Sequence, residues 1–280
     1  MKGILFILLA AFFFSLMSVF VRLSGDVPTM QKAFFRNVVA AVVAAVLLVR
    51  SRTGFLVPKK CLPALLMRSL FGTAGIIANF WAVDHLGIAD ANMLNKLSPF
   101  FAILMSIFIL GEKPSRIEWL SVLLAFIGAA FVAKPSAGIV SVPALVGIFG
   151  GFAAGTAYTF VRKLGLSGVR GPVIVMFFSA FSTLVLLPNL ILNYHPMTAQ
   201  QLIFLFLAGI SAAGGQLSIT AAYSHAPARD ISVFDYSQVV YAALFGLFLF
   251  GEWPDGWSLL GYVIIIGTAF WKWYMMTREG

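Results

Sequence analysis

The chain has 280 residues, of which 61% are hydrophobic and 10% charged, with a net charge of +9 and a single cysteine. Soluble domains carry about 25% charged residues, so this composition excludes an ordinary soluble enzyme, and a lone Cys61 excludes an internal disulfide and a cysteine metal cluster. The basic residues sit mainly between apolar runs, which assigns them to lipid headgroups and membrane orientation rather than to nucleic acid.

Taken in order, the apolar runs predict about ten membrane-spanning helices, each near the twenty residues that cross a bilayer. The first covers 3–21 and lacks a clear small-residue cleavage site, so it reads as a span and not as a signal peptide. It is followed by 30–49, 62–83, 91–110 and 117–133, and then by 142–160, 172–192, 201–223, 231–250 and 257–274. The linkers are short, and none could hold a soluble domain. Lys2, Arg50, Arg52, Lys59, Lys60, Lys113, Arg116, Arg162, Lys163, Arg170, Arg229 and Arg278 fall on one side. Arg22 and Lys134, with Lys32 close by, fall on the other. The excess on the first side makes it cytoplasmic, with both termini inside.

The chain also repeats itself. His85, Asp90, Gly111, Glu112 and Pro114 recur as His225, Asp230, Gly251, Glu252 and Pro254, all offset by 140 positions. Phe20-Val21-Arg22 recurs as Phe160-Val161-Arg162, and Gly75 as Gly215, at the same offset. Five spans per half is an odd number, so the second half enters the membrane inverted, as in many secondary transporters. The expected architecture is an all-α integral membrane protein of two inverted five-helix repeats, 1–137 and 138–280.

Ala33-Phe34-Phe35-Arg36, Ser98-Pro99-Phe100-Phe101, the two Gly-Glu pairs and Phe126-Ile127-Gly128-Ala129-Ala130 carry a family resemblance. The chain resembles the EamA type of the drug/metabolite transporter superfamily over nearly its whole length. The resemblance implies two five-helix bundles around a central cavity and transport of small organic metabolites without ATP hydrolysis. Arg36 matches the family's arginine in the second span. Val239 stands where Pro99 stands in the first half, so a proline-dependent helix break is expected in one half only.

Asn92, Asn95, Lys96 and Pro99 are spaced to share one face of the fourth span. Their counterparts are Ser232, Asp235, Tyr236 and Val239. A lysine or aspartate at the bilayer centre costs about 2.5–3.5 kcal/mol, so these stripes are expected to face a cavity or each other. Pro99 would free the Asn95 carbonyl from its helical donor. Lys96 either holds a carboxylate or phosphate, pairs with Asp235, or snorkels to headgroups. Asp235 either binds a cationic group, picks up a coupling proton, or snorkels likewise. Asn79, Gln216 and Thr220 can bond substrate or bond helix to helix, and Tyr158 can supply an aromatic wall, with Trp81 a weaker candidate. Arg36 is expected to brace the outer end of the bundle or meet lipid phosphate, and Arg68 to anchor the cytoplasmic end of the third span.

Gly147, Gly151 and Gly155 form a small-residue ridge for close helix packing. Gly111, Glu112, Gly251 and Glu252 are expected to be structural, with the glutamates accepting backbone bonds at a neighbouring helix end. His85 and His225 read as loop residues, and no metal-ligand spacing or phosphate-binding Gly-rich loop occurs. No catalytic residue, metal or cofactor is expected. These readings point to a secondary transporter of an amino acid or similar polar or amphipathic metabolite in the cytoplasmic (inner) membrane, as a monomer or homodimer, with the bilayer and a small-molecule substrate as partners. A membrane enzyme acting on a lipid or prenyl substrate, and a non-transporting scaffold, are the alternatives.

Overall fold

Residues 2–51, 57–86, 94–133, 142–251, 253 and 255–279 are described by a computed structural model. The main helices are α1 (Lys2–Leu23), α2 (Thr29–Arg50), α3 (Leu62–Leu86), α4 (Ser98–Leu110) and α5 (Arg116–Ala133). They are followed by α6 (Val142–Leu166), α7 (Gly171–Leu192), α8 (Ala199–His225), α9 (Ser237–Phe250) and α10 (Gly256–Glu279). Among the described residues, eight helical stretches are long and apolar enough to cross a membrane. Apolar surface faces outward on them and on the shorter α4: Phe248 is 77% exposed, and its counterpart Phe108 on α4 is 75% exposed. Lipid rather than protein can cover such a surface.

The helices end where the sequence supplies a stop. Gly111 and Gly251 adopt left-handed φ values of 70° and 67° as the C-caps of α4 and α9. That conformation favours glycine, and the Gly111 and Glu112 amides return to the Ile107 and Ser106 carbonyls. Thr198 caps α8 by accepting from the Gln201 amide, while the Gln201 side chain accepts from the Thr198 amide. His85 and His225 lie in the last turns of α3 and α8 rather than in loops, and each ring Nδ1 lies within hydrogen-bond distance of the carbonyl four residues back.

Two helix pairs close the ends of the pattern. α2 packs on α7, where Gln31 and the His195 backbone exchange two hydrogen bonds of 2.9 Å. α5 packs on α10, where Phe131 stacks on Trp257 at 5.8 Å. Between them, α1 packs on α8 and α9, and α6 packs on α3 and α4. Individual contacts recur at the 140-residue offset. A Cβ on Gly75 would lie 3.2 Å from the Ala154 amide, and one on Gly215 would lie 2.6 Å from the Phe14 ring. A Cβ on Gly155 would lie 2.5 Å from the Ser98 carbonyl, while Ser15 donates to the Gln238 carbonyl at 3.0 Å.

The glycines of α6 lie close against the segment leading into α4. Gly147 and Gly151 admit Leu94 and its carbonyl, and Gly155 admits the start of α4. A side chain at any of these positions would separate the two elements.

The expected continuous span at 91–110 is corrected. α4 begins only at Ser98, after a turn at Lys96 and Leu97 in which the Leu97 amide bonds back to the Leu94 carbonyl. The second copy is interrupted too, by a helical turn at Ala228–Ile231 and a 3-10 segment at Ser232–Tyr236 before α9. The break is therefore present in both halves and does not depend on proline. Pro99 sits in the first turn of α4, where its missing amide is not needed. Asn92, Asp90, Lys134, Glu252 and Pro254 lie outside the described residues.

Candidate functional site

The two interrupted segments meet inside the bundle. Lys96 Nζ lies 3.3 Å from Asp235 Oδ2 and donates to Gln238 Oε1 at 2.6 Å. A longer contact of 3.5 Å reaches the Asp235 carbonyl. Tyr236 donates its hydroxyl to the Lys96 carbonyl at 2.7 Å, so a residue bonds its own counterpart 140 positions away. The Lys96 and Asp235 side chains are 15% and 7% exposed. Both turn inward, which overturns snorkelling for either one. A turn before α4 and a 3-10 segment before α9 aim these groups at each other, whereas one long helix would have spread them over successive turns.

Lys96, Asp235 and Tyr236 are thus brought to one junction, with Asn95 beside Lys96 in the chain. Gln238 belongs there as well, and sequence reasoning missed it. It stands two residues beyond Tyr236 at the counterpart position of Ser98, a polar residue inside an apolar run. Ser232 is fully buried beside the Tyr223 hydroxyl.

A second polar locus lies among α2, α3, α6 and α8. Arg68 is not an anchor at the membrane edge: it is 1% exposed, donates to Gln216 Oε1 at 3.2 Å, and lies 4.0 Å above the Phe178 ring. Gly72 makes the room, since a Cβ there would lie 2.2 Å from Arg68 Nη1. The spacing of Arg68 and Gly72, one turn apart, is the sequence signal that could have revealed this. Arg36 is 9% exposed, and among the described residues no acceptor bonds its guanidinium. Tyr158 stacks on Tyr223 at 4.9 Å and lies within electrostatic reach of Arg36, Arg68 and Asp235. Burying an ion costs several kcal/mol unless a partner offsets it, and these two arginines have no carboxylate partner among the described residues.

Other expected residues fall away from the junction or take structural places. Gln216 serves helix-to-helix bonding through Arg68. Asn79 Oδ1 and Thr220 Oγ1 are buried without partners. Trp81 stacks on His85 at 3.9 Å near the end of α3. Glu112 Oε1 lies 3.7 Å from Arg162 Nε, so its partner is a side chain and not the backbone of a helix end. Lys272 and Glu118 pair at 3.5 Å between α10 and α5, a buried link that the sequence pattern did not reveal. Among the described residues no group of acidic, histidine or cysteine side chains could hold a metal ion.

Comparison with known proteins identifies the family and the fold. The EamA-like transporter family matches residues 1–134 and 142–272. The pseudopaline exporter of Pseudomonas aeruginosa (strain UCBPP-PA14) is 32% identical over 269 residues, covering 95% of this chain and 93% of that one. Human solute carrier family 35 member G1 is 27% identical, covering 99% of this chain and 81% of its own length. A solved crystal structure superposes with a TM-score of 0.84 at 17% identity, covering 95% of each chain, which shows a shared fold. With two family matches spanning the helices and eight stretches able to cross a bilayer, the chain is a multi-pass membrane transporter that belongs to the EamA-like transporter family.

Proposed function

We propose that the protein moves a small organic metabolite, an amino acid or a similar polar or amphipathic compound, across the cytoplasmic membrane by alternating access. Two inverted five-helix halves, 1–137 and 138–280, rock about the junction between them. The observation that carries this reading is the Lys96–Asp235–Gln238 cluster at facing helix interruptions. Irregular backbone at membrane depth is tolerated where it is buried in protein or lines a cavity, and transporters built from inverted repeats use such discontinuous helices for substrate and coupling ions. The contacts that recur at the 140-residue offset support related halves. Excess positive charge on one side supports cytoplasmic termini.

In this mechanism Asn95, Lys96, Asp235 and Tyr236 bind the polar groups of the substrate, with Asn79, Gln216 and Tyr158 as further ligands for it. Substrate competes with the Lys96–Asp235 pair, and parting that pair lets the halves move. Asp235 is the coupling group, because a proton taken up there removes the charge that holds Lys96. The relatives' names, an exporter and a solute carrier, support transport of a dissolved compound.

The test is uptake and counterflow in liposomes containing the purified protein, offered labelled amino acids, nucleosides, amines, sugars and organic acids. Saturable flux of at least one compound, lost in Lys96→Met and Asp235→Ala, is the expected result. No flux of any compound would overturn the reading. Proton dependence that survives intact in Asp235→Asn would remove Asp235 from coupling.

A further inference from the structure

Apart from the Lys96–Asp235 pair, the described residues leave a buried positive charge unbalanced. Arg36 on α2 and Arg68 on α3 are both buried and lie within electrostatic reach of each other. Among the described residues neither meets a carboxylate, and the Nε of each is unpartnered. Arg68 has one neutral acceptor, Gln216, and the face of Phe178, which stabilise part of its charge. Arg36 has no acceptor among the described residues. Buried ions are ordinarily paired, and two buried guanidiniums without carboxylates call for an anion. The guanidinium fork matches the planar oxygens of a carboxylate or phosphate.

We propose that Arg36 and Arg68 form an oxyanion-binding subsite that takes the carboxylate or phosphate group of the transported compound. The subsite rests on the transporter reading above and narrows its substrate to an acid. Tyr158, stacked on Tyr223, is electrostatically coupled to both loci, to Arg36, Arg68 and Asp235. A compound held by its oxyanion at the arginines can therefore extend its other polar groups towards Lys96 and Asp235. Entry of the anion completes the charge balance of the interior, so the loaded carrier crosses its transition with fewer uncompensated buried charges than the empty one.

The experiment is transport in liposomes with compounds offered in matched pairs: amino acids and dicarboxylates against their amides, and phosphate monoesters against their parent alcohols. The wild-type protein is expected to prefer the charged member of at least one pair at least tenfold in transport efficiency. The preferred pair tells carboxylate from phosphate. Arg36→Gln and Arg68→Gln are each expected to cut that preference to below twofold, and Arg36→Lys to retain part of it. Equal transport of charged and neutral members by the wild type, or full preference in both glutamine variants, would overturn the subsite and leave the transporter reading standing. Absence of flux for every compound would overturn that reading and the subsite with it. Thermal stabilisation of the detergent-purified wild type by the preferred acid, absent with its neutral counterpart, supplies a readout independent of whether the variants fold. Equal stabilisation by both would overturn the subsite.

Discussion

Replacing Asp235 with Asn tests the central pair with little change in shape. At 3.3 Å the Lys96–Asp235 attraction is about 5 kcal/mol in an environment of effective dielectric about 20. Desolvation of both ions offsets much of that, and truncating one member of a fully buried pair costs about 3–5 kcal/mol. Here Lys96 is 15% exposed and keeps its 2.6 Å bond to Gln238, so the loss is smaller. The expected coupling between Lys96 and Asp235 is about 1–3 kcal/mol, reasoned from the same range. It is read from a double-mutant cycle of Lys96→Met, Asp235→Asn and the double variant, by reversible unfolding in mixed micelles. Swapping the charges, Lys96→Asp with Asp235→Lys, is expected to recover part of the stability that Lys96→Asp alone loses. A coupling below about 0.5 kcal/mol, the usual error of additivity, would refute the view that this pair holds the halves together.

Gly155→Ala is expected to destabilise by about 1–3 kcal/mol through overpacking, since its Cβ would lie 2.5 Å from the Ser98 carbonyl. Gly267→Ala on α10, where a Cβ meets nothing within 4 Å, is expected to leave stability unchanged or raise it by up to about 1 kcal/mol; the same unfolding assay compares them. Gly111→Ala has open space but a φ of 70°, so a loss of about 1–2 kcal/mol is expected from conformation alone. Glu118→Gln strands Lys272, which is 4% exposed, and should lower the yield of folded protein more than the double change with Lys272→Met does. Cysteines placed at Lys113 and Trp253 in a Cys61→Ser background should be labelled from opposite sides of the membrane; labelling from one side would exclude inverted halves.

The helices were legible because apolar runs in a bilayer leave the backbone no alternative to helical hydrogen bonding. Lys96 and Asp235 were legible as a couple because the repeat put charged residues near matching positions of the fourth and ninth spans. Their geometry was not. An unbroken helix was the natural reading of 91–110, and Pro99 was the only visible reason for a break, yet the second copy turns at Ser232–Tyr236 without a proline. Arg68 was misread because a basic residue near the end of an apolar run has the same pattern whether it points to headgroups or inward. Packing decided it, through the space beside Gly72 and the ring of Phe178. The Lys272–Glu118 pair joins elements more than 150 residues apart and left no local trace.

The bond from Tyr236 to the Lys96 carbonyl has a mechanical consequence. In the proposed arrangement of related halves, a contact between counterpart residues lies on the axis that relates them. In the proposed exchange of shapes between the halves, that residue pair maps onto itself, while flanking contacts such as Ser15 with Gln238 and Gly155 with Ser98 trade places. In that cycle the pair is the fulcrum of a seesaw, and the bond itself passes from one partner's side chain to the other's.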